Sequence, residues 1–224
     1  MIISHKYKFI FIKTAKTAGT SIEAYLSDLC GNDDVFTPIY PPSPNLKPRN
    51  FGGPPLPDLG TLRPGQFAEL NRQHKFRNHM GASEIKRRVD PQVWGTYLKF
   101  CVERNPWDKV VSSFYMQVHR NAEPKTFAQF INSKQFPVDW PRWYDKTEER
   151  YLVDKVLRFE NLNAELGGVF NSLGVPFAGN LDSREKACYR PKNRPYRQHY
   201  REPGQIKSVL EAFETEIRLL SYKF

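Results

Sequence analysis

One stretch near the N-terminus narrows the choice of fold more than any other. Phe9-Ile10-Phe11-Ile12, between Lys8 and Lys13, is an unbroken apolar run of β-formers. That is the pattern of a strand buried on both faces. Thr14 to Thr20 are mostly small residues with one glycine, and Ile22, Tyr25, Leu26 and Leu29 then return at helical spacing. A strand covered on both faces needs a layer on each side, and strand–loop–helix units supply such layers. The order recurs twice. Thr96 to Glu103 reads as a strand broken by Arg104-Asn105-Pro106, where Asn105 can cap a helix and Pro106 can open it. That helix runs through Val110, Val111, Phe114, Tyr115 and Val118. Lys155 to Phe159 reads as a third strand, followed by a helix from Leu162 to Leu173 that stops at Gly174. The expectation is an α/β fold with a central, mostly parallel sheet flanked by helices.

At 224 residues and 39% hydrophobic content, the chain is expected to form a single domain with a real core. Residues 36–65 break the pattern, holding nine of the 18 prolines and four glycines. Such density excludes a regular helix or central strand and predicts an irregular insertion, either a binding loop or lid or a loose segment. A basic helical stretch is expected from about Gln66 to Val89, short helical pieces within 121–147, and a last amphipathic helix from about Pro203 to Leu220. Mean hydropathy is −0.63, and neither a membrane span nor a signal peptide is evident, so a cytoplasmic protein is expected. Cys30, Cys101 and Cys188 are odd in number and widely spaced, which suggests free thiols rather than a disulfide or zinc framework.

The formal net charge is +10, with a local excess of +6 between Arg184 and Arg201. Charge of this sign attracts anions. The turn after the first strand, Lys16-Thr17-Ala18-Gly19-Thr20-Ser21, reads either as a cradle for one or as an ordinary strand-to-helix turn with an exposed lysine: small side chains permit close approach, the helix start offers free N–H groups, and Lys16, Thr20 and Ser21 add donors. It is not a Walker A sequence, because Gly19 is followed by Thr20, and an ATPase or phosphotransferase reading loses its main support. Arg104 ends the second strand, so a parallel sheet would bring it to the same edge, with Ser112 eight residues on in the following helix. Arg104 could offer a fork to a second phosphate or could pair with a carboxylate.

These two stretches together resemble sulfotransferases. Lys16 to Ser21 is similar to their 5′-phosphosulfate loop. Arg104-Asn105-Pro106, with Ser112 eight positions after the Arg, is similar to their 3′-phosphate motif. The likeness is to the carbohydrate sulfotransferases that include heparan sulfate 2-O- and chondroitin 4-O-sulfotransferases and small bacterial members. It extends to Val156–Leu162, to Tyr196–Tyr200 and to the final Tyr222-Lys223-Phe224, but not to residues 36–65 or most of 121–150. It implies a P-loop-kinase-like sandwich and 3′-phosphoadenosine-5′-phosphosulfate (PAPS) as donor, with no metal. It also implies a hydroxyl acceptor, read as a glycan, and as an anionic one if charge guides the choice. Lys16, Thr17, Ala18, Gly19, Thr20 and Ser21 would hold the donor's 5′ end, Arg104 and Ser112 its 3′-phosphate. Lys16 would also stabilise the leaving group.

The same resemblance places a histidine base before the second strand, and His79 stands there. Histidine suits the task because its pKa lies near neutrality. His74 is the alternative, and a carboxylate base stays open because some carbohydrate sulfotransferases use glutamate. Glu160 is expected to be structural. Trp140, Trp143 and Tyr144 could stack on sugars or pack in the core, and Tyr196 and Arg197 could close over the donor. Nucleic-acid binding would account for the charge but not for two phosphate motifs in register, and no nucleic-acid fold signature is present.

Overall fold

The strand order explains why distant loops meet at one place. In chain order the elements are β1 (Ile2–Ser4), β2 (Phe9–Ile12), α1 (Gly19–Ser27), β3 (Val35–Phe36), α2 (Pro64–Gln73), α3 (Ala82–Lys86), α4 (Pro91–Thr96), β4 (Leu98–Glu103) and α5 (Pro106–Arg120). They continue with α6 (Phe127–Asn132), β5 (Tyr144–Asp145), β6 (Arg150–Tyr151), β7 (Lys155–Arg158), α7 (Leu162–Leu173), α8 (Pro203–Ala212) and α9 (Glu214–Leu220). The structure is a computed structural model, and it describes residues 1–120, 126–181, 191 and 194–224. Five strands lie in the order β3-β1-β2-β4-β7, with β5 and β6 forming a separate ribbon. β2, β4 and β7 are parallel, as expected. β1 runs antiparallel to both β2 and β3, so the sheet is mixed. β1 and β3 are only three and two residues long, too short to leave a periodic signal. Because β1 reverses direction twice over, β3 points the same way as β2. The chain therefore leaves the sheet at one edge after Phe36, Ile12, Glu103 and Arg158.

The apolar run of β2 is buried as its sequence implies. Ile10 and Ile12 face a layer that includes Trp107, Val110 and Val111 of α5 and Val209 of α8. Phe9 and Phe11 face the opposite layer, with Ile22 and Leu26 of α1 and Leu166, Val169 and Phe170 of α7. All four strand residues are fully buried. Each contributes about 1.5–3 kcal/mol of hydrophobic stabilisation. The expected helix boundaries at α5 and α7 are present. Asn105 Oδ1 accepts from the Trp107 and Asp108 amides at 3.1 and 3.4 Å, and Gly174 closes α7 at φ 68°.

Two expected helices are each divided. The stretch from Gln66 to Val89 becomes α2 and α3, because residues between them bond elsewhere. Lys75 and Phe76 donate their amides to Gly52 and Phe51 carbonyls at 3.0 and 2.8 Å, and His79 adopts φ 60°. The last helix breaks at Phe213, whose side chain is fully buried. The Pro-rich segment has little regular structure, a single 3-10 turn at Leu59–Thr61, but it is anchored. Ile39 and Leu46 are buried. Arg49 stacks on Phe36 at 4.2 Å and donates to the Gly31 and Ser27 carbonyls. Cys30 and Cys101 are free thiols, while Cys188 lies outside the described residues. Among the described residues no helix is long and apolar enough to cross a membrane.

Candidate functional site

A cavity of about 890 Å³ opens at the sheet edge where β2, β3, β4 and β7 end. That volume lies within the range of small-molecule and cofactor sites. The turn from Lys13 to Ala18 forms its floor. Lys16 and Ala18 take left-handed conformations, at φ 62° and 59°. Such kinks turn successive backbone N–H groups toward one point. The first turn of α1 has neither a side-chain cap nor an acidic residue, so its amides and positive dipole end face the cavity. Gly19 is required by space, since a Cβ there would stand 2.7 Å from Lys13 Cγ. The Thr14 hydroxyl donates to the Val102 carbonyl and lies 2.8 Å from the Thr17 hydroxyl, which pins the turn to β4. Of the two lysines here, Lys13 is engaged from within: its ammonium is 2.5 Å from Glu23 and 3.2 Å from Thr20 Oγ1. Lys16 stands on the cavity wall.

Arg104 converges on this turn as expected, donating from Nη1 to the Lys16 carbonyl at 3.0 Å. Its Nε and Nη2 also grip Asp108 at 2.8 and 2.7 Å, and its guanidinium lies 4.1 Å over the Phe159 ring. Arg104 therefore lines the cavity while the Asp108 carboxylate and the Lys16 carbonyl hold its guanidinium. Ser112 follows one turn after Asp108 on the same wall. Glu160 lines the cavity and also makes contacts of the structural kind expected of it. It accepts the Asn105 amide at 2.6 Å and faces the Tyr222 hydroxyl at 3.4 Å, which joins the end of β7 to the start of α5.

His79 lines the cavity and His74 does not. His74 is buried, with Nε2 3.2 Å from the Pro54 carbonyl. Nδ1 of His79 lies 3.1 Å from the Lys13 carbonyl. A carbonyl can only accept, so Nδ1 carries the proton and Nε2 keeps its lone pair. Burial, with the Lys13 ammonium nearby and Asp139 only partly opposing, pushes the imidazole down to about 3. The ring is neutral at physiological pH.

A buried charge cluster beneath the turn leaves no sequence motif. Lys109, fully buried, bridges Glu103 at 2.9 Å and Asp139 at 2.8 Å. Asp139 also accepts the Ala15 amide at 2.7 Å and Arg142 Nε at 2.6 Å, while Arg142 donates to the His79 carbonyl. One carboxylate thus fixes the turn from Lys13 to Ala18 and, through Arg142, the segment that carries His79. Burial opposes charge on Asp139, but Lys109 and Arg142 hold it below the usual carboxylate range. Burial and the Glu103 carboxylate push Glu216, which accepts the Asp139 and Trp140 amides, up to about 7. Trp143 donates to Glu103 at 2.9 Å and is fully buried with Tyr144, so these rings belong to the core.

Sequence reasoning also missed Ile39, Tyr40, Phe67 and Asn163 on the cavity wall. Their only signal was adjacency to turns that the sheet order brings together. Tyr196 and Arg197 pack on Phe224 instead of lining the cavity, and Arg197 donates to its carbonyl at 2.7 Å. Most of the basic segment preceding them lies outside the described residues. Among the described residues no cluster of three His, Cys, Asp or Glu side chains is placed to hold a metal.

Comparison with known proteins agrees with this architecture. The model of the Sulfotransferase family matches residues 1–223. An uncharacterized protein of Archaeoglobus fulgidus is 32% identical over 102 residues, covering 43% of this chain and 84% of that one. The crystal structure of mouse sulfotransferase SULT7A1 complexed with PAP superposes with a TM-score of 0.50 at 18% identity, over 96% of this chain and 86% of the mouse chain. A sulfotransferase from Alicyclobacillus acidocaldarius has a TM-score of 0.44 at 16% identity over 96% of both chains.

Proposed function

The chain belongs to the Sulfotransferase family, and from that premise we propose that the turn Lys16–Ser21 holds the 5′-phosphosulfate of PAPS, Arg104 and Ser112 its 3′-phosphate, and His79 the acceptor hydroxyl. One observation carries the reading. Arg104 and His79 are both anchored to carbonyls of the same short turn, at Lys16 and Lys13. The turn, the guanidinium held by Asp108 and an unprotonated ring nitrogen therefore border one cavity, which supports the reading. The uncapped start of α1 and the left-handed Lys16 and Ala18 fit a group rich in anionic oxygens.

In this reading the acceptor oxygen attacks sulfur, and a new O–S bond forms as the bond from sulfur to the bridging phosphate oxygen breaks. The hydroxyl proton passes to Nε2 of His79. The negative charge left on the departing 3′-phosphoadenosine-5′-phosphate (PAP) faces Lys16 and the backbone N–H groups of the turn. Groups already aimed at developing charge need no reorganisation when it forms.

Calorimetric titration with PAP tests the donor site, with ATP as control. Wild type is expected to bind PAP well and ATP weakly. Arg104→Ala should lose about tenfold to a hundredfold in PAP affinity, the worth of a charge-assisted contact. No PAP binding, or equal binding of ATP, overturns the reading.

The depressed imidazole gives a second expectation, with a definite sign. A lowered pKa keeps the base form to lower pH, so kcat/KM should lack a limb near pH 6.5 and stay level from about pH 5 to 7. His79→Gln should lower kcat about a hundredfold. An acid limb near pH 6.5 that vanishes in His79→Gln would show that the ring titrates normally and is not held neutral.

A further inference from the structure

The sheet order separates the cavity into two flanks. On the β4 and β7 side stand Arg104, Ser112, Phe159 and Asn163. On the β3 side stand Ile39 and Tyr40, just beyond the strand's end, with Pro64 and Phe67 of α2 against them. The anion turn lies between, and His79, bonded to the Lys13 carbonyl at the end of β2, also borders the cavity. Resting on the donor-site reading above, we infer that the Pro-rich segment and α2 form the acceptor side of the cavity, and that this wall takes the flat, uncharged face of the ring bearing the accepting hydroxyl.

The wall has the chemistry for such a face and lacks it for an anion. Ile39, Tyr40, Pro64 and Phe67 carry no charge, and the lining cations Lys13, Lys16, Arg104 and Arg120 come from the turn, β4 and α5. Tyr40 and Phe67 stack with centroids 5.4 Å apart and planes 28° apart. The Tyr40 hydroxyl donates its proton to the Leu62 carbonyl at 2.8 Å, which leaves ring carbon and an accepting oxygen, but no donor, as what it offers a ligand. Aromatic surface of this kind packs on planar or apolar faces without needing charge. The wall is also preformed. Ile39 and Phe67 are 2% and 8% exposed, and the Pro-rich segment is bonded through Gly52 and Phe51 to the strand of chain leading to His79. A preformed surface orders little on binding, so its contacts convert more fully into affinity. The +10 net charge had pointed toward an anionic glycan, but that charge is not on this wall.

The experiment titrates the enzyme–PAP complex with 2-naphthol, methyl β-D-glucopyranoside and methyl β-D-glucuronide, the last being the glucoside with its C6 hydroxymethyl group replaced by a carboxylate. A neutral probe is expected to bind more tightly than the glucuronide, with naphthol against glucoside deciding between an aryl and a sugar ring. Phe67→Leu and Tyr40→Leu should each weaken that neutral probe about tenfold while PAP affinity stays within about twofold. The two residues sit on separate segments, so a folding failure in one variant, seen as loss of PAP binding, leaves the other as the test. The inference is overturned if the glucuronide binds best, if no neutral probe binds the wild-type complex, or if both substitutions leave the neutral probe unchanged. Failure of wild type to bind PAP is read separately, in the first titration; it rejects the donor-site reading and this assignment with it.

Discussion

Lys16→Met is expected to lower kcat by about a thousandfold while changing PAP affinity by no more than about fivefold. The asymmetry follows from where the charge appears. In the bound donor the bridging oxygen carries little negative charge, and as the O–S bond breaks the departing phosphate gains a full increment of it. A cation aimed at that oxygen binds the transition state more strongly than the ground state, and only that difference raises turnover. Backbone effects need a control, because Lys16 sits at φ 62°. Glycine adopts this conformation freely, so Lys16→Gly removes the charge while easing the turn. Single-turnover rates for both variants make the test. If Lys16→Gly kept wild-type turnover, the ammonium would have no part in the chemistry. If PAP affinity collapsed in parallel with kcat, Lys16 would be a ground-state ligand instead.

The parts of the site that could be read from sequence are those whose signal is local. An apolar run, a glycine where a Cβ would strike Lys13, and an Asn-Pro helix start each act within a few residues of themselves. They gave β2, the turn after it, α1, β4 and α5 in order, and with them the side-by-side placement of Lys16 and Arg104. What stayed hidden is what only the tertiary structure brings together. β1 and β3 are too short for any period to show, yet without them Ile39 and Tyr40 would not reach the cavity. Asp139 touches Ala15, Lys109 and Arg142, and no spacing links those positions. Lys109 looks like one more charge at the start of an amphipathic helix, and burial rather than composition makes it exceptional. The division of α2 from α3 was equally invisible, because it is imposed by backbone bonds to the Pro-rich segment.

The largest effect on stability is expected at Lys109. Its ammonium is fully enclosed and is the shared partner of Glu103 and Asp139. Removing it strands the buried Glu103 carboxylate and leaves Asp139 paired with Arg142 alone, and breaking a buried pair on one side costs about 3–5 kcal/mol. For a chain of this size that is a fall in Tm of roughly 10 °C, to be measured for Lys109→Met by calorimetry. The pH dependence carries the sign of the cause. In wild type Asp139 is held below its ordinary pKa, so its contribution is present above about pH 4 and is lost only as the pH falls toward 2. Burial already raises the Glu103 carboxyl, and without the ammonium it should rise further, while Asp139 keeps Arg142 and the Ala15 amide. The variant should then be least stable at high pH and gain on wild type as the pH falls from 8 to 5. Adding Glu103→Gln should restore part of the loss, because one stranded charge is gone while an acceptor for Trp143 remains. The variant's activity should fall more than its folded fraction does, since Asp139 holds the Ala15 amide and, through Arg142, the backbone of His79. Equal Tm values for wild type and Lys109→Met across that pH range would show that the cluster contributes nothing to folding. Turnover per folded molecule equal to wild type would show that the cluster does not position the turn.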